Sequence, residues 1–339
     1  MSPLNEQVMF DIHEPSQVGA ARRYLGERAR AHGFDQALID RLSLAVTEAG
    51  TNLVKHAREG MLLARPLGSP ENRGIEVLAI DRGPGMPDIA ASSIDGVSTS
   101  GTMGTGLGAI ARVSDHTQLY SMPGQGTVIR FVLGGDAVEG APIEMGVVNL
   151  PIQGEEVSGD GWRLRLDQER LLLMVCDGLG HGASAADATR AMQRVFDEQA
   201  AELSPMEITR SGHAAMRSTR GAATAIAECS FERNEILYSG VGNISGIVYA
   251  DGRSRHLLSH PGIVGHQMSK LTTFNAPWPA DSLLIMHSDG LGTHWSLDDY
   301  PGLTQQHPAV IAGALYRDHS RGRDDTTVVV LKRKAVRHA

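Results

Sequence analysis

The chain has 339 residues, 41% of them hydrophobic and 21% charged, which is ordinary for a globular protein and leaves room for two full cores. A formal net charge of -8 argues against a nucleic-acid binder. The two cysteines, Cys176 and Cys229, sit inside apolar strand-like runs and read as buried thiols of a reducing compartment, not as a disulfide framework. No basic-then-apolar leader opens the sequence and no run approaches bilayer length, so a cytoplasmic protein without a membrane partner is expected.

Ser16 is placed to cap a helix through His32, with Val18, Ala21, Leu25 and Ala29 inward and Gly33 ending it. Asp35 is placed to cap a second helix to about His56, with Leu38, Leu42, Ala45, Ala49 and Leu53 on one face. Glu48, Asn52 and His56 then fall four apart, which stacks a carboxylate, an amide and an imidazole beside the apolar stripe. Such a triplet is also the polar edge of any amphipathic helix. The stretch from Arg65 to Arg73, with Pro66 and Pro70, reads as a surface loop. Next, a strand GIEVLAI runs into Asp81, the loop RGPGMPD follows, a Ser/Thr/Gly-rich stretch extends from Ser92 to Gly101, and GTGLG at 104 to 108 opens another helix. Glycines at a helix start expose backbone N–H groups and the positive end of the dipole, a phosphate cradle, although glycines also serve plain turns.

Taken together, ExxxN on a helix, DRGPG, GTGLG and a hairpin GQGT resemble the histidine-kinase-like (GHKL) ATP-binding superfamily, and GVSTSGTMGTGLG resembles its RsbT-type switch serine kinases. The resemblance covers roughly residues 8 to 134 and implies an ATP-binding α/β sandwich as a first domain over residues 1 to 134. It also implies roles: Asn52 would hold Mg²⁺ against the ATP phosphates, and Asp81 would accept the adenine amino group. Gly83 and Gly85 would let the backbone approach the base, Gly104, Thr105, Gly106, Leu107 and Gly108 would cradle phosphate, and Thr127 would close the adenine side. Glu48 would accept or orient the proton of the attacking hydroxyl, and Ser92 to Met103 would form a lid over ATP.

GGDAVEGAP at 134 to 142 reads as a linker, placed at residues 135 to 145, before a second domain over residues 146 to 339. That domain alternates strand-like runs (Gly146 to Leu150, Trp162 to Leu166, Leu171 to Cys176, Ala222 to Phe231, Glu235 to Ser239, Gly246 to Tyr249, Leu283 to His287, Thr327 to Leu331) with helices at about 183–202 and 205–217. DQER and ERNE read as hairpin turns.

The apolar run LLLMVC ends in Asp177, and Gly178, Gly180 and Gly182 bracket His181 before a small-residue helix. An acid at the end of a buried strand, followed by glycines that open backbone carbonyls, can offer several oxygens to one hard cation. The same residues also suit a tight strand-to-helix turn with an aspartate cap. Other acids recur in similar settings: Asp160 after SG, Asp289 at the end of LLIMHSD, and Asp324 and Asp325 before TTVVV. Isolated carboxylates at buried strand ends are costly unless paired or metal-bound, and no arginine partner is evident at each, which favours a shared metal cluster.

SGD, DGLGHG, RGAATAI, VGN, SDGL and RDDTTVVV, in that order over residues 146 to 333, resemble the SpoIIE-type branch of the metal-dependent type 2C protein phosphatases, most closely its RsbX-like members. The resemblance implies an α-β-β-α sandwich holding two Mn²⁺ or Mg²⁺ ions, with Asp177 bridging, Asp160 and the Gly178 carbonyl on one ion, and Asp289 and Asp324 on the other. Asp325 is expected to support the loop. The general-acid histidine of eukaryotic type 2C enzymes would fall at Leu179, with His181 displaced by two residues, and the arginine that grips substrate phosphate has no clear counterpart. A two-domain α/β (α+β) chain thus joins a kinase-like half to a phosphatase-like half. The families imply opposed phosphorylation and dephosphorylation of a STAS-domain protein in a partner-switching or stressosome pathway. An alternative is an ATP-binding module that captures a sigma-regulatory partner without transferring phosphate, and a third is ATP as a ligand that gates the phosphatase.

Overall fold

The computed structural model describes residues 7–57, 59–68, 72–86, 106–135, 142–167, 169–268 and 271–334, and the chain divides into two units, Met1–Glu139 and Gly140–Ala339. The first unit runs β1 (Val8–Asp11), α1 (Pro15–Ala31), α2 (Gln36–His56), β2 (Gly60–Gly68), β3 (Arg73–Asp81), α3 (Gly106–Val113), β4 (His116–Met122) and β5 (Gly126–Gly134). α2 forms where its apolar period predicts, burying Leu42, Ala45, Val46, Ala49 and Leu53, and Asp35 caps it by accepting the Leu38 N–H at 2.7 Å. The cap of α1 is Glu14, not Ser16: Pro15 takes the first helical turn, where its missing N–H would have had no partner, and Gln17 reaches back to accept the Glu14 N–H at 3.0 Å.

The five strands pair antiparallel in the order β1-β2-β3-β5-β4. Leu62, Val77, Ala79, Ile129 and Phe131 on one face pack against Val18, Leu25, Leu42, Val46 and Leu53 of the helices, giving the expected two-layer sandwich. Arg65 to Arg73 is not a surface loop throughout. Arg65 to Gly68 continue β2, with Arg65 opposite Glu76 and Pro66 opposite Ile75. Among the described residues β1 reaches only to Ala64, so no described strand lies beside Pro66 on the outer edge of β2, where a proline is tolerated. On the sheet face away from the helices, Glu76 is 1% exposed and its two oxygens accept from Arg65 Nε at 2.7 Å and Arg130 Nε at 2.6 Å.

The second unit runs β6 (Ile143–Leu150), β7 (Asp160–Leu166), β8 (Arg170–Gly178), α4 (Ala183–Gln199), α5 (Pro205–Ala215), β9 (Ala222–Ser230), β10 (Glu235–Val241), β11 (Ser245–Ala250) and β12 (Arg253–Leu257). A short hairpin, β13 (Gly262–Ile263) and β14 (Gln267–Met268), then precedes β15 (Phe274–Pro277), β16 (Leu283–His287), α6 (Pro308–His319) and β17 (Thr326–Arg333). Two antiparallel sheets, β15-β10-β9-β8-β7 and β12-β11-β16-β17-β6, face each other across Val147, Trp162, Leu173, Val175, Ala227 and Met286. α4 and α5 cover the first sheet through Ala188, Met192, Phe196 and Ile208, and α6 covers the second so closely that a Cβ on Gly146 would stand 1.9 Å from the Ala309 nitrogen. This is the α-β-β-α sandwich. Residues 143 to 145, expected in the linker, are strand: Glu144 and Met145 pair with Lys332 and Leu331 of β17. Residues 136–141 lie outside the described residues. Among the described residues no helix is long and apolar enough to cross a membrane.

Removing Glu76 would strand two guanidinium groups, each under a tenth exposed, in a sheet interior. Glu76→Ala is therefore expected to destabilise the first unit by about 3–5 kcal/mol. All three tryptophans, Trp162, Trp278 and Trp295, lie in the second unit, so the loss should register as an earlier urea transition by far-ultraviolet circular dichroism.

Candidate active sites

In the first unit the polar face of α2 meets the start of α3. Glu48 and Asn52 are half-buried on that face, and His56 is exposed a turn further on. A Cβ on Gly106 would lie 3.0 Å from Asn52 Oδ1 and 3.4 Å from Glu48 Oε2, so only glycine lets the start of α3 approach both side chains this closely. Leu107 and Gly108 follow in the first turn of α3, half-buried, and the helix carries no acidic residue there that would oppose a bound anion. Gly104, Thr105 and the expected lid from Ser92 to Met103 lie outside the described residues.

Asp81 ends β3 directly opposite Thr127 of β5, and its Oδ1 accepts the Gly83 N–H at 2.6 Å. A Cβ on Gly83 would lie 2.7 Å from the His56 carbonyl, which puts this turn against the end of α2, and Gly85 follows with φ 68. One residue here escaped the sequence reading. Ser121 is buried, its hydroxyl lies 2.9 Å from Thr127 Oγ1, and it accepts the Met86 N–H at 2.8 Å. Its pairing with Thr127 across the GQGT hairpin was the available signal, because residues equidistant from a tight turn face each other.

In the second unit Asp160 of β7 and Asp177 of β8 are direct cross-strand partners, and the Gly178 N–H donates to the Gly159 carbonyl at 3.1 Å. A Cβ on Gly178 would stand 2.2 Å from the Ala185 carbonyl, so the glycine lets α4 cross the end of β8. Ser288 Oγ donates to Asp160 at 2.5 Å, and the Asn243 amide donates to Asp289 at 2.7 Å. Asn243 lies in the VGN motif, which sequence reading quoted without giving the residue a task. Asp325, 2% exposed, accepts the Ile152 N–H at 2.7 Å and the Gly159 N–H at 2.6 Å. Asp324 stands half-exposed beside it and accepts the Asp325 N–H at 2.9 Å. His181, largely exposed, binds Glu155 Oε1 through Nδ1 at 2.7 Å.

The electrostatics identify what these acids lack. Burial, and then the neighbouring charges of Asp289, Asp324 and Asp325, push the Asp177 carboxyl up to about 7. Burial and then the charge of Asp177 hold Asp160 well above the usual carboxylate range, against the lowering effect of Ser288. Among the described residues none of Asp160, Asp177, Asp289 and Asp324 forms an ion pair with a lysine, arginine or histidine, and no three His, Cys, Asp or Glu side chains close to coordination spacing. The donors are oxygens only, crowded enough to hold Asp160 and Asp177 above the usual carboxylate range, which fits a hard divalent cation and not zinc.

Residues 13–133 match the histidine kinase-like ATPase domain family, and residues 167–334 match the family of Stage II sporulation protein E (SpoIIE). The chain is 32% identical over 129 residues to the serine/threonine-protein kinase RsbT of Bacillus subtilis (strain 168), spanning 38% of this chain and 97% of that protein. It is 30% identical over 154 residues to the phosphoserine phosphatase RsbX of the same organism, spanning 45% of this chain and 77% of that protein. Among solved structures, a chain from "The bacterial stressosome: a modular system that has been adapted to control secondary messenger signaling" shares the fold with a TM-score of 0.53 at 23% identity, over 56% of this chain and 100% of that one.

A carboxyl whose folded pKa is raised from 3.8 to about 7 takes stability away as it ionises, so its penalty is absent below the first value and complete above the second. With chelator at pH 8, Asp177→Asn is expected to be more stable than wild type by roughly 2–4 kcal/mol, and the gap should narrow as pH falls toward 4. Mn²⁺ should raise the melting temperature of the wild type but not of the variant. The two adjacent acids should also separate: Asp325→Ala leaves two backbone N–H groups without acceptors and should lose about 2–4 kcal/mol. Asp324→Ala should stay within about 0.5 kcal/mol of wild type in the same urea titration.

Proposed function

The chain belongs to the histidine kinase-like ATPase domain family over its first unit and to the SpoIIE family over its second, and we propose that the two units run opposed reactions on one protein hydroxyl. The first phosphorylates a serine or threonine of a STAS-domain protein with ATP, and the second removes that phosphate. The observation that carries this reading is the presence on one chain of both constellations: Glu48 and Asn52 against the start of α3, and four carboxylates without cationic partners at one end of a β-sandwich. The serine/threonine kinase RsbT and the phosphoserine phosphatase RsbX as its two relatives support the assignment of direction.

In the first unit Asp81, with Thr127 and Ser121 behind it, takes the adenine, and the amides of residues 104 to 108 take the phosphates. Asn52 would hold Mg²⁺, which when bound would supply charge neutralisation between the phosphate groups. Glu48, half-buried beside the start of α3, receives or orients the proton of the attacking hydroxyl. Phosphoryl transfer otherwise depends on positioning, which the close contact of α2 with α3 provides.

In the second unit Asp177, Asp160 and the Gly178 carbonyl, together with Asp289 and Asp324, would hold Mn²⁺ or Mg²⁺. The ions, when bound, lower the pKa of water and so provide a nucleophile at neutral pH. Ser288 and Asn243 fix the orientation of Asp160 and Asp289, and Asp325 ties the Asp160 loop to β17 through two backbone N–H groups. Two active sites on one chain raise the effective concentration of each activity at a shared target.

The test uses a phosphatase-dead chain, Asp177→Asn with Asp324→Asn, incubated with ATP, Mg²⁺ and the STAS-domain protein encoded nearest to it. Mass spectrometry should find one phosphoserine or phosphothreonine, absent with Glu48→Ala added, and wild-type chain with Mn²⁺ should erase it. If ATP and partner bind yet no phosphate is transferred, the first unit is a capture or sensing module.

A further inference from the structure

β12 is an outer strand of its sheet, paired among the described residues with β11 on one side only. Arg253, Ser254, Arg255 and His256 along it are all exposed. Arg253 and Arg255 share one face, since side chains alternate along a strand, and among the described residues neither forms an ion pair. The other three outer strands of the sandwich are different. Arg163 and Arg165 of β7 pair with Asp197 and Asp167, Glu144 of β6 pairs with Lys334, and β15 carries no charged residue. In a chain of net charge -8, β12 alone of these four offers an open backbone edge with unanswered positive charge.

The strand also leads toward the acidic centre. Leu257 at its end stands opposite Gly246, and the neighbouring Ser245 stands opposite His287, two residues before Asp289. The end of β12 therefore lies two strand spacings, about 10 Å, from the strand that runs into that acid. Beyond Leu257 the chain is tied to the VGN motif: the His260 N–H donates to the Gly240 carbonyl at 2.8 Å, and the His260 carbonyl accepts the Gly242 N–H at 2.9 Å. Leu258, between strand and tie, is 60% exposed, more than any other large apolar side chain of the described residues.

An open edge carries N–H and C=O groups that an extended peptide satisfies by adding as a further strand, and the side chains beside it select the peptide. Arginines on an edge also guard against self-association, and here they rule out a second copy as the occupant, because paired β12 strands would bring like charges together. An extended segment with acids at every second position meets Arg253 and Arg255 with opposite charge instead.

Resting on the phosphatase reading of the second unit, we propose that β12 is the docking edge for the protein substrate, which adds an acidic extended segment there as a sixth strand and so brings its phosphorylated side chain to the centre. β12 points toward the centre. A segment pairing antiparallel to it therefore carries its acids on the C-terminal side of the phosphorylated residue. Small phosphomonoesters lack the segment and do not sense the edge.

The experiment uses the full chain as wild type, as Arg253→Glu with Arg255→Glu, and as a control of equal charge on the exposed arginines of α4 and α5, Arg194→Glu with Arg210→Glu. Two fluorescein-labelled phosphoserine peptides carry, after a glycine-serine spacer, the run Glu-Val-Glu-Val-Glu or Lys-Val-Lys-Val-Lys. A third is the glutamate peptide methylated at the backbone nitrogens of its run. Binding is read by fluorescence anisotropy with chelator, and hydrolysis of the peptides and of p-nitrophenyl phosphate with Mn²⁺. The glutamate peptide should bind wild type about tenfold or more tighter than the other two, and lead in kcat/KM by a similar factor. Reversal on β12 should abolish that lead, the control should keep it, and p-nitrophenyl phosphate should be hydrolysed alike by all three chains. Equal binding of the glutamate and lysine peptides to wild type overturns the proposal. Equal binding of the methylated peptide does so too, since it leaves a charge contact without a strand. Slower p-nitrophenyl phosphate hydrolysis after reversal on β12 would move the arginines' effect from docking to the centre and sink the idea as well. A single-stranded oligonucleotide that binds tighter than the glutamate peptide, and only with both arginines in place, would make the strip a nucleic-acid site instead. If wild type hydrolyses none of these esters, the phosphatase reading fails, and the anisotropy alone still decides whether β12 docks an acidic strand.

Discussion

Asp160 and Asp177 stand directly opposite each other on neighbouring antiparallel strands, a placement that repels in any sheet and more strongly in a buried one. Much of the second unit around them can be understood as what makes this tolerable. Ser288 donates to one, the glycine after the other lets α4 seal the strand end, and Asp325, although its charge adds to the repulsion, draws the Asp160 loop onto β17 through the Gly159 N–H. The raised pKa of Asp177 measures how far these measures fall short: the fold accepts an unfavourable charge arrangement that a divalent cation would relieve. Stability and function are opposed at this sheet end.

The first unit solves a related problem in the opposite sense. Glu76 is also a buried carboxylate, but it is answered within the sheet by Arg65 and Arg130, which saturates it and leaves nothing for a ligand. Glu48, the carboxylate we propose for chemistry, is instead half-buried at the seam where α2 meets the glycine start of α3. Paired acids hold the architecture, and unpaired acids mark the places where something else binds. The same rule separates Asp325, held by two backbone N–H groups, from Asp324 next to it in sequence.

Much of this was legible in the sequence wherever one face of an element is wet. α2 announced itself by period, cap and the four-residue spacing of Glu48 and Asn52, and the acids at strand ends announced the metal-site candidates. One helix without a wet face was silent: Pro308 to Leu315 of α6 are buried without a break, so no polar stripe sets a helical period. Pro66 misled for a different reason. A proline reads as a loop unless the length of the neighbouring strand is known, and β1 is four residues long. Ser121, Asn243 and Ser288 act through hydrogen bonds across strands, Ser288 reaching an acid 128 positions away, and no local pattern encodes such a contact.

The two reactions place opposite demands on water, which is a physical reason to house them in separate units. Phosphoryl transfer to a protein hydroxyl must keep water from the γ-phosphate, so its groups belong at a seam between helices that a partner and ordered loop can cover. Hydrolysis needs water delivered to phosphorus, so its carboxylates belong at the open end of a sandwich. Asp289 and Asp324 are partly exposed, whereas Asp160 beneath them is 6% exposed, and this gradient from buried to wet is what such a site requires. That order leaves the partly exposed acids open to water while Ser288 holds the buried Asp160 in place. One pocket could not serve both reactions, because the dryness that protects a phosphoryl transfer would starve a hydrolysis.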